Sequence, residues 1–316
     1  MRPRTLLAVL AAGPMALSHQ AHAHGFAGDH MFISTLLIDD PNVADEASLP
    51  TFSYQPQPAD EGQEPTLYGL GFEWDKRITE NFGFALESGY NWLKQPGEKT
   101  ANGWNNLSVT LKYKPYVNAE HEFMLSVGVE RAFARTGANG SNGAALDNED
   151  SSSTTPTIFF GKGFGDVPVG WLRPLALTGE LGYVIPDKNL KVDPVSLTPT
   201  NNGLSNAWEG GLSLQYSMRY LSSQVKDYGF PEFVNKLTPV VELSWSSPAS
   251  RPTQDTTQYL WGVGVNYTTT GYAFGVEALI PGNTRTGSHV GVIAQFHLYF
   301  DDLLPHSLGK PIAEWF

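Results

Sequence analysis

The sequence contains no cysteine. Disulfides and thiolate metal centres are therefore excluded, and stability has to come from packing and hydrogen bonding. Positive charge is scarce: 20 Lys and Arg stand against 32 Asp and Glu, a formal charge of −12. That balance argues against a nucleic-acid partner, which would need a basic face. No run of 18 apolar residues occurs beyond the N-terminus, so no transmembrane helix is expected. The glycines of Gly161-Lys162-Gly163-Phe164-Gly165 do not make a phosphate loop, because no lysine–serine pair and no helix pattern follow them.

The N-terminus reads as an export signal. Arg2 and Arg4 precede a short apolar run from Leu6, and Ala21-His22-Ala23 is a small-x-small cleavage site. Residues 1–23 are expected to be removed, leaving His24 first. The remaining 18 basic and 32 acidic residues give a charge of about −14.

Beyond the signal, apolar residues recur with a period of two, the mark of extended strands with unlike faces. Twelve candidate strands lie near 50–57, 66–78, 82–93, 104–116, 122–133, 155–163, 171–186, 206–218, 238–246, 258–267, 271–280 and 288–300. Many reach ten residues or more, about what a tilted strand needs to cross a bilayer. The connections alternate in length. Long Gly-, Asn- and Ser-rich segments such as 94–103, 134–154 and 186–205 alternate with short turns such as 79–81 and 268–270. One connection on the short side, 219–237, is longer and could hold a short helix. Long loops on one rim and tight turns on the other suit a membrane barrel.

The two faces differ in the same way in strand after strand. Phe82, Phe84, Leu86, Tyr90 and Trp92 share one face, opposite Gly83, Ala85, Glu87 and Gly89. Seven glutamates in seven strands, Glu73, Glu87, Glu130, Glu180, Glu209, Glu242 and Glu277, all fall on the small face. Trp92, Trp104, Trp208, Trp245 and Trp261 gather at the long-loop ends, and Tyr113, Tyr216, Tyr267 and Tyr272 at the short-turn ends. Amphipathic rings prefer the lipid–water interface, so two girdles are expected. The greasy face should meet lipid and the small face should line a lumen; the sheet must then close. An all-β antiparallel transmembrane barrel of about twelve strands is the expected fold. In the last strand, Val290 through Phe300 should face lipid, and His289, Gln295 and His297 the lumen.

The export signal, the alternating segments and a last strand ending Phe296-x-Leu298-x-Phe300 resemble Gram-negative outer-membrane β-barrels. The resemblance implies outer-membrane localisation, contact with lipid and lipopolysaccharide, and recognition by the barrel-insertion machinery. Sixteen residues follow Phe300, a departure from that pattern, although the chain does end in Phe316. The segment HGFAGDHMFISTLLIDDPNVADEASLPT and the stretch FFGKGFGD are also similar to a group of barrels associated with transport in aromatic-compound (phenol meta-pathway) degradation.

The expected organisation is signal 1–23, an N-terminal arm 24–48 in the periplasm or lumen, barrel 49–300 and tail 301–316. The expected function is a channel or transporter for a small solute, hydrophobic or aromatic by analogy, and not an enzyme. Candidate lumen residues are the seven glutamates with Lys112, Lys162 and His297; Lys114 and Arg77 could pair with them. The alternatives are a plugged structural barrel and a lipid-modifying enzyme. For the latter, Ser288-His289, His297 and Ser213 are available without a recognisable spacing. No cofactor is expected. His24 and His30 form a weak metal candidate at the arm, since an α-amine and imidazoles suit copper or zinc. Asp147, Glu149 and Asp150 could bind divalent ions in a loop.

Overall fold

A computed structural model describes residues 25–58, 64–137, 151–193, 195–196, 198–201, 203–249 and 257–316. The signal, His24 and the carboxylates Asp147, Glu149 and Asp150 lie outside them. No helix among the described residues is long and apolar enough to cross a membrane.

Twelve strands form one closed antiparallel barrel. A two-residue hairpin precedes it, β1 (Phe26–Ala27) and β2 (His30–Met31). The first four barrel strands are β3 (Glu46–Pro56), β4 (Thr66–Thr79), β5 (Phe82–Lys94) and, after a short extra strand β6 (Ala101–Trp104), β7 (Leu107–Asn118). Then come β8 (Phe123–Phe133), β9 (Ser153–Gly163), β10 (Leu175–Pro186) and β11 (Ala207–Tyr216). The last four are β12 (Leu237–Pro248), β13 (Gln258–Thr268), β14 (Tyr272–Pro281) and β15 (Gly291–Tyr299). Each pairs with its neighbour in sequence, and β15 pairs with β3 to close the ring. Every strand edge is thereby consumed. The β3 register shifts between Ser48 and Thr51, where Pro50 lacks an N–H to give the ladder.

The orientation of the faces follows the alternation. Leu181, Trp208, Val263 and Val292 are exposed on the outer wall, while Ala176, Thr178 and Ser213 are fully buried inside. Outer-wall glycines are shielded by aromatic rings: a Cβ on Gly210 would meet the indole of Trp245 at 2.6 Å, and one on Gly179 the ring of Phe160 at 2.6 Å. These rings cover backbone that a glycine leaves bare.

The barrel starts at Glu46, inside the segment expected as arm, and its last strand stops at Tyr299. Phe300 does not continue the strand; it opens the helix α3 (Phe300–Leu303), and its N–H donates to the Asp45 carbonyl at 2.9 Å. Tyr299 instead points inward and is buried. The tail then folds under the short-turn rim. Lys76 Nζ donates to the carbonyls of Leu308 (2.9 Å) and Lys310 (2.7 Å), and Trp315 stacks over the same ammonium. The 219–237 connection does hold helix: α1 (Met218–Tyr220), a π turn over Leu221–Val225, and α2 (Glu232–Asn235). Phe233 lies on Tyr267 on the outer wall, so this connection wraps back over the rim.

Candidate functional site: an acidic lumen crossed by the N-terminal arm

The glycine-rich inner wall is not empty space. Residues 25–45 thread into the lumen from the short-turn rim, cross it and return to β3. The apolar side chains of this arm sit in sockets where the wall has glycine. Ile38 occupies the place of a Cβ on Gly211 (2.0 Å), Leu36 that on Gly275 (2.6 Å), Val43 that on Gly83 (2.8 Å) and Phe32 that on Gly161 (2.9 Å). Phe32, Ile33, Ile38 and Val43 are buried as a result.

The backbone of the arm is equally engaged. Leu36 and Leu37 donate their N–H groups to Glu242 Oε2, both at 3.0 Å. Asp39 N donates to Glu180 at 3.4 Å, and Gln215 bridges the N–H and carbonyl of Ile33. Lys112 reaches the Asp39 carboxylate at 2.5 Å and the Asp40 carbonyl at 3.1 Å, and Ser126 bonds the Pro41 carbonyl. A segment without secondary structure needs such partners when buried.

Both ends of the arm are tied to the short-turn rim. At the exit, Asp45 is fully buried and accepts from Lys76 Nζ (2.6 Å) and Arg77 Nε (2.9 Å). Arg77 also bonds Asp301 and the Gly309 carbonyl, so arm, β4, α3 and tail share one ionic knot. Losing one member of such a buried network costs about 3–5 kcal/mol. At the entry, His30 lies between Phe32 and Tyr220, with Nδ1 3.5 Å from Glu122. Glu122 also accepts from Gly165 N (2.7 Å) and Tyr220 Oη (2.9 Å). Burial alone would raise the Glu122 carboxyl, but the nearby His30 and the bonds from Gly165 and Tyr220 prevail and hold it below the ordinary carboxylate range. Burial, then the bond to Glu122, pushes the Tyr220 phenol up. Gly28 makes the hairpin possible: its φ is +63°, and a Cβ there would strike the Ala119 carbonyl at 2.3 Å.

Beside the arm, from the first residue of β3 up to Glu209, lies a cavity of about 400 Å³. Glu73, Glu87, Glu130, Glu180 and Glu209 line it, with Asp39, Asp40, Glu46, Asp75 and His297. No Lys or Arg lines it among the described residues. His297 is buried, with Nε2 3.1 Å from Glu46 and Nδ1 2.9 Å from Ser48. A second cavity of about 500 Å³ opens at the short-turn rim, lined by Phe26, Asp29, Ile33, Arg219 and Tyr220.

Five of the seven glutamates, with His297, thus share this cavity; Glu242 and Glu277 lie buried beside the arm, and Lys112 binds the arm. Lys162 does not line the lumen. It belongs to the outer face of β9 at the short-turn rim, where it bonds the carbonyls of His121 and Gly163 and the carboxylate of Asp166. Phe159 and Phe160 are consecutive, so the faces of β9 are ambiguous from sequence; Phe159 is the inward one, under Lys112 Nζ at 4.7 Å. His289 also departs from expectation. It stands exposed at the long-loop rim, its Nδ1 2.7 Å from Glu64. Ser288 approaches that same nitrogen at 3.1 Å, so serine and carboxylate compete for one ring atom. A proton relay needs them on opposite ring nitrogens. Arg77 and Lys114 serve the arm rather than the wall glutamates, Lys114 through Asn42 at 2.8 Å. No group of three or more metal-ligating side chains occurs among the described residues, and His30 meets a single carboxylate. The residues that sequence reading missed are on the arm itself. Their signal was an apolar run, FISTLLI, with no strand alternation.

This architecture is that of outer-membrane β-barrels. An outer-membrane channel from Pseudomonas putida F1 superposes with a TM-score of 0.58 at 9% identity, over 85% of this chain and 99% of that one. The KdgM porin is matched with a TM-score of 0.45 at 10% identity, over 80% and 98%. OprD of Pseudomonas aeruginosa gives 0.33 at 8%, over 84% and 97%. At 9% identity the likeness to the Pseudomonas putida channel is one of fold. No protein-family model and no curated protein matches the sequence.

Proposed function

We propose that the protein is an outer-membrane channel for small solutes, selective for cations, with its own N-terminal arm as the closure. The long loops face the exterior, and the arm and tail face the periplasm. The observation that carries this reading is the cavity walled by carboxylates beside the arm. A low-dielectric wall concentrates the field of those charges, so the lumen enriches cations and repels anions. Phe159, Ile293 and Leu36 add apolar surface to the same cavity, which suits an organic cation with an aromatic or aliphatic body. Passage requires the arm to leave its glycine sockets, which open onto the lumen without any change in the wall.

The test is conductance and reversal potential in planar bilayers under a salt gradient, for the full chain and for a variant lacking residues 25–44. The expected result is a low, cation-selective conductance that rises at least several-fold on deletion. A deleted barrel that folds, shown by heat-modifiable gel mobility, yet conducts no more than the full chain would overturn the reading.

A further inference from the structure

The contact that holds the arm's apex has an unusual composition. Two consecutive N–H groups, of Leu36 and Leu37, converge on Glu242 Oε2. Such a nest favours an ionised carboxylate. Two strands away, Glu277 turns toward the same point. Both side chains are buried, at 0% and 1% exposure. The intervening strand β13 has glycine at both positions they cross: Gly262 is opposite Glu242 and Gly264 opposite Glu277. A Cβ on Gly262 would lie 2.2 Å from Glu277 Oε2 and 3.4 Å from Glu242 Cβ. Glu242 Oε1 is left without a hydrogen-bond partner at that gap. Both oxygens of Glu277 also lack a hydrogen-bond partner among the described residues.

Ionised carboxylates only accept, and two of them buried side by side with unpartnered oxygens repel, so one of the pair has to carry a proton. Glu242 is already the acceptor for the arm. The proton therefore belongs on Glu277.

We infer that Glu242 and Glu277 form a one-proton site that catches the arm. Protonated Glu277 donates to Glu242, and Glu242 holds Leu36 and Leu37. When base removes the Glu277 proton as water, two carboxylates are left in contact and repel, and Glu242 turns away from the arm. Among the described residues, no Lys or Arg bonds either carboxyl. Asp39 is two residues beyond Leu37 on the arm. Glu209 on β11 is four positions from Ser213, the residue opposite Glu242. His297 on β15 is four positions from Ile293, the residue opposite Glu277. β13 offers Gly262, Gly264 and Asn266, and no titratable group. The functional weight of the catch rests on the reading that the arm closes the channel.

Absence of cysteine makes a single spin label straightforward. Leu37 borders the cavities on the long-loop side, so a nitroxide at Leu37→Cys has room and reports the apex. Its line shape is followed from about pH 6 to about pH 11, a range spanning the ordinary tyrosine and lysine values as well. In the labelled parent, the signal is expected to pass from immobilised to mobile as pH rises. Glu277→Gln, whose amide N–H donates at every pH, should keep the label immobilised throughout. Glu242→Ala should leave it mobile throughout. A parent label that stays immobilised to the alkaline limit, or a Glu277→Gln variant that follows the parent's profile, would overturn the inference. Gel mobility at each pH establishes that the barrel stays folded. Conductance is recorded alongside: a label that is released in a barrel that never conducts would sink the channel reading and leave the catch standing.

Discussion

At the scale of the residue, glycine carries more of this molecule than any charged group. A lumen of small side chains reads from sequence as free volume, yet Gly83, Gly161, Gly211 and Gly275 are each filled by an arm side chain. The fit is tightest at Gly211, where a new Cβ would lie 2.0 Å from Ile38. Gly211→Val should therefore expel the apex of the arm while leaving β11 paired, because the barrel ladder does not use the side chain. Overpacking of this kind costs about 1–3 kcal/mol. The expected outcome is faster protease cleavage within 32–40 with unchanged β-content by circular dichroism. Cleavage at the parent rate would show that the socket is not what holds Ile38.

At the scale of the element, the hairpin β1–β2 is too short to be stable alone and meets Glu122 through His30. The Glu122 carboxyl titrates below its usual range in the folded state. Its contribution is thus fully present above the unfolded value of about 4.3, and it is lost as pH falls through the lower folded value. Amide exchange in residues 26–31 should stay slow at neutral pH and accelerate below about pH 4. Tyr220→Phe removes one donor, so the loss should begin at higher pH. Identical profiles for the two proteins would remove Tyr220 from the latch. Base at the apex and acid at the entry hairpin therefore act on two separate points of one segment.

At the scale of the whole molecule, the assignment of faces can be tested by a single charge. Val263 is exposed at mid-strand on the outer wall. In a bilayer, Val263→Arg should destabilise the barrel by about 2–4 kcal/mol, measured by denaturant unfolding in lipid vesicles. On a water-facing wall the same change would be nearly neutral. The chain is expected to resist SDS until heated.

The twelve strands, their alternation and the unequal rims were all legible in the sequence. Strand periodicity is a local property, and a bilayer imposes it on every span. The inward direction of the seven glutamates followed from the same alternation. Other features depended on residues distant in the chain. FISTLLI carries no periodic signal because its contacts are glycines from four different strands. Lys162 was misplaced because Phe159 and Phe160 are adjacent, and only packing chooses which one enters the lumen. Phe300 leaves the strand because its N–H bonds Asp45, more than 250 positions away. The sequence by itself therefore determined a closed sheet with a greasy outside and an acidic inside. The tertiary structure decided what fills that inside, since a socket and the side chain that occupies it meet only once the ring has closed.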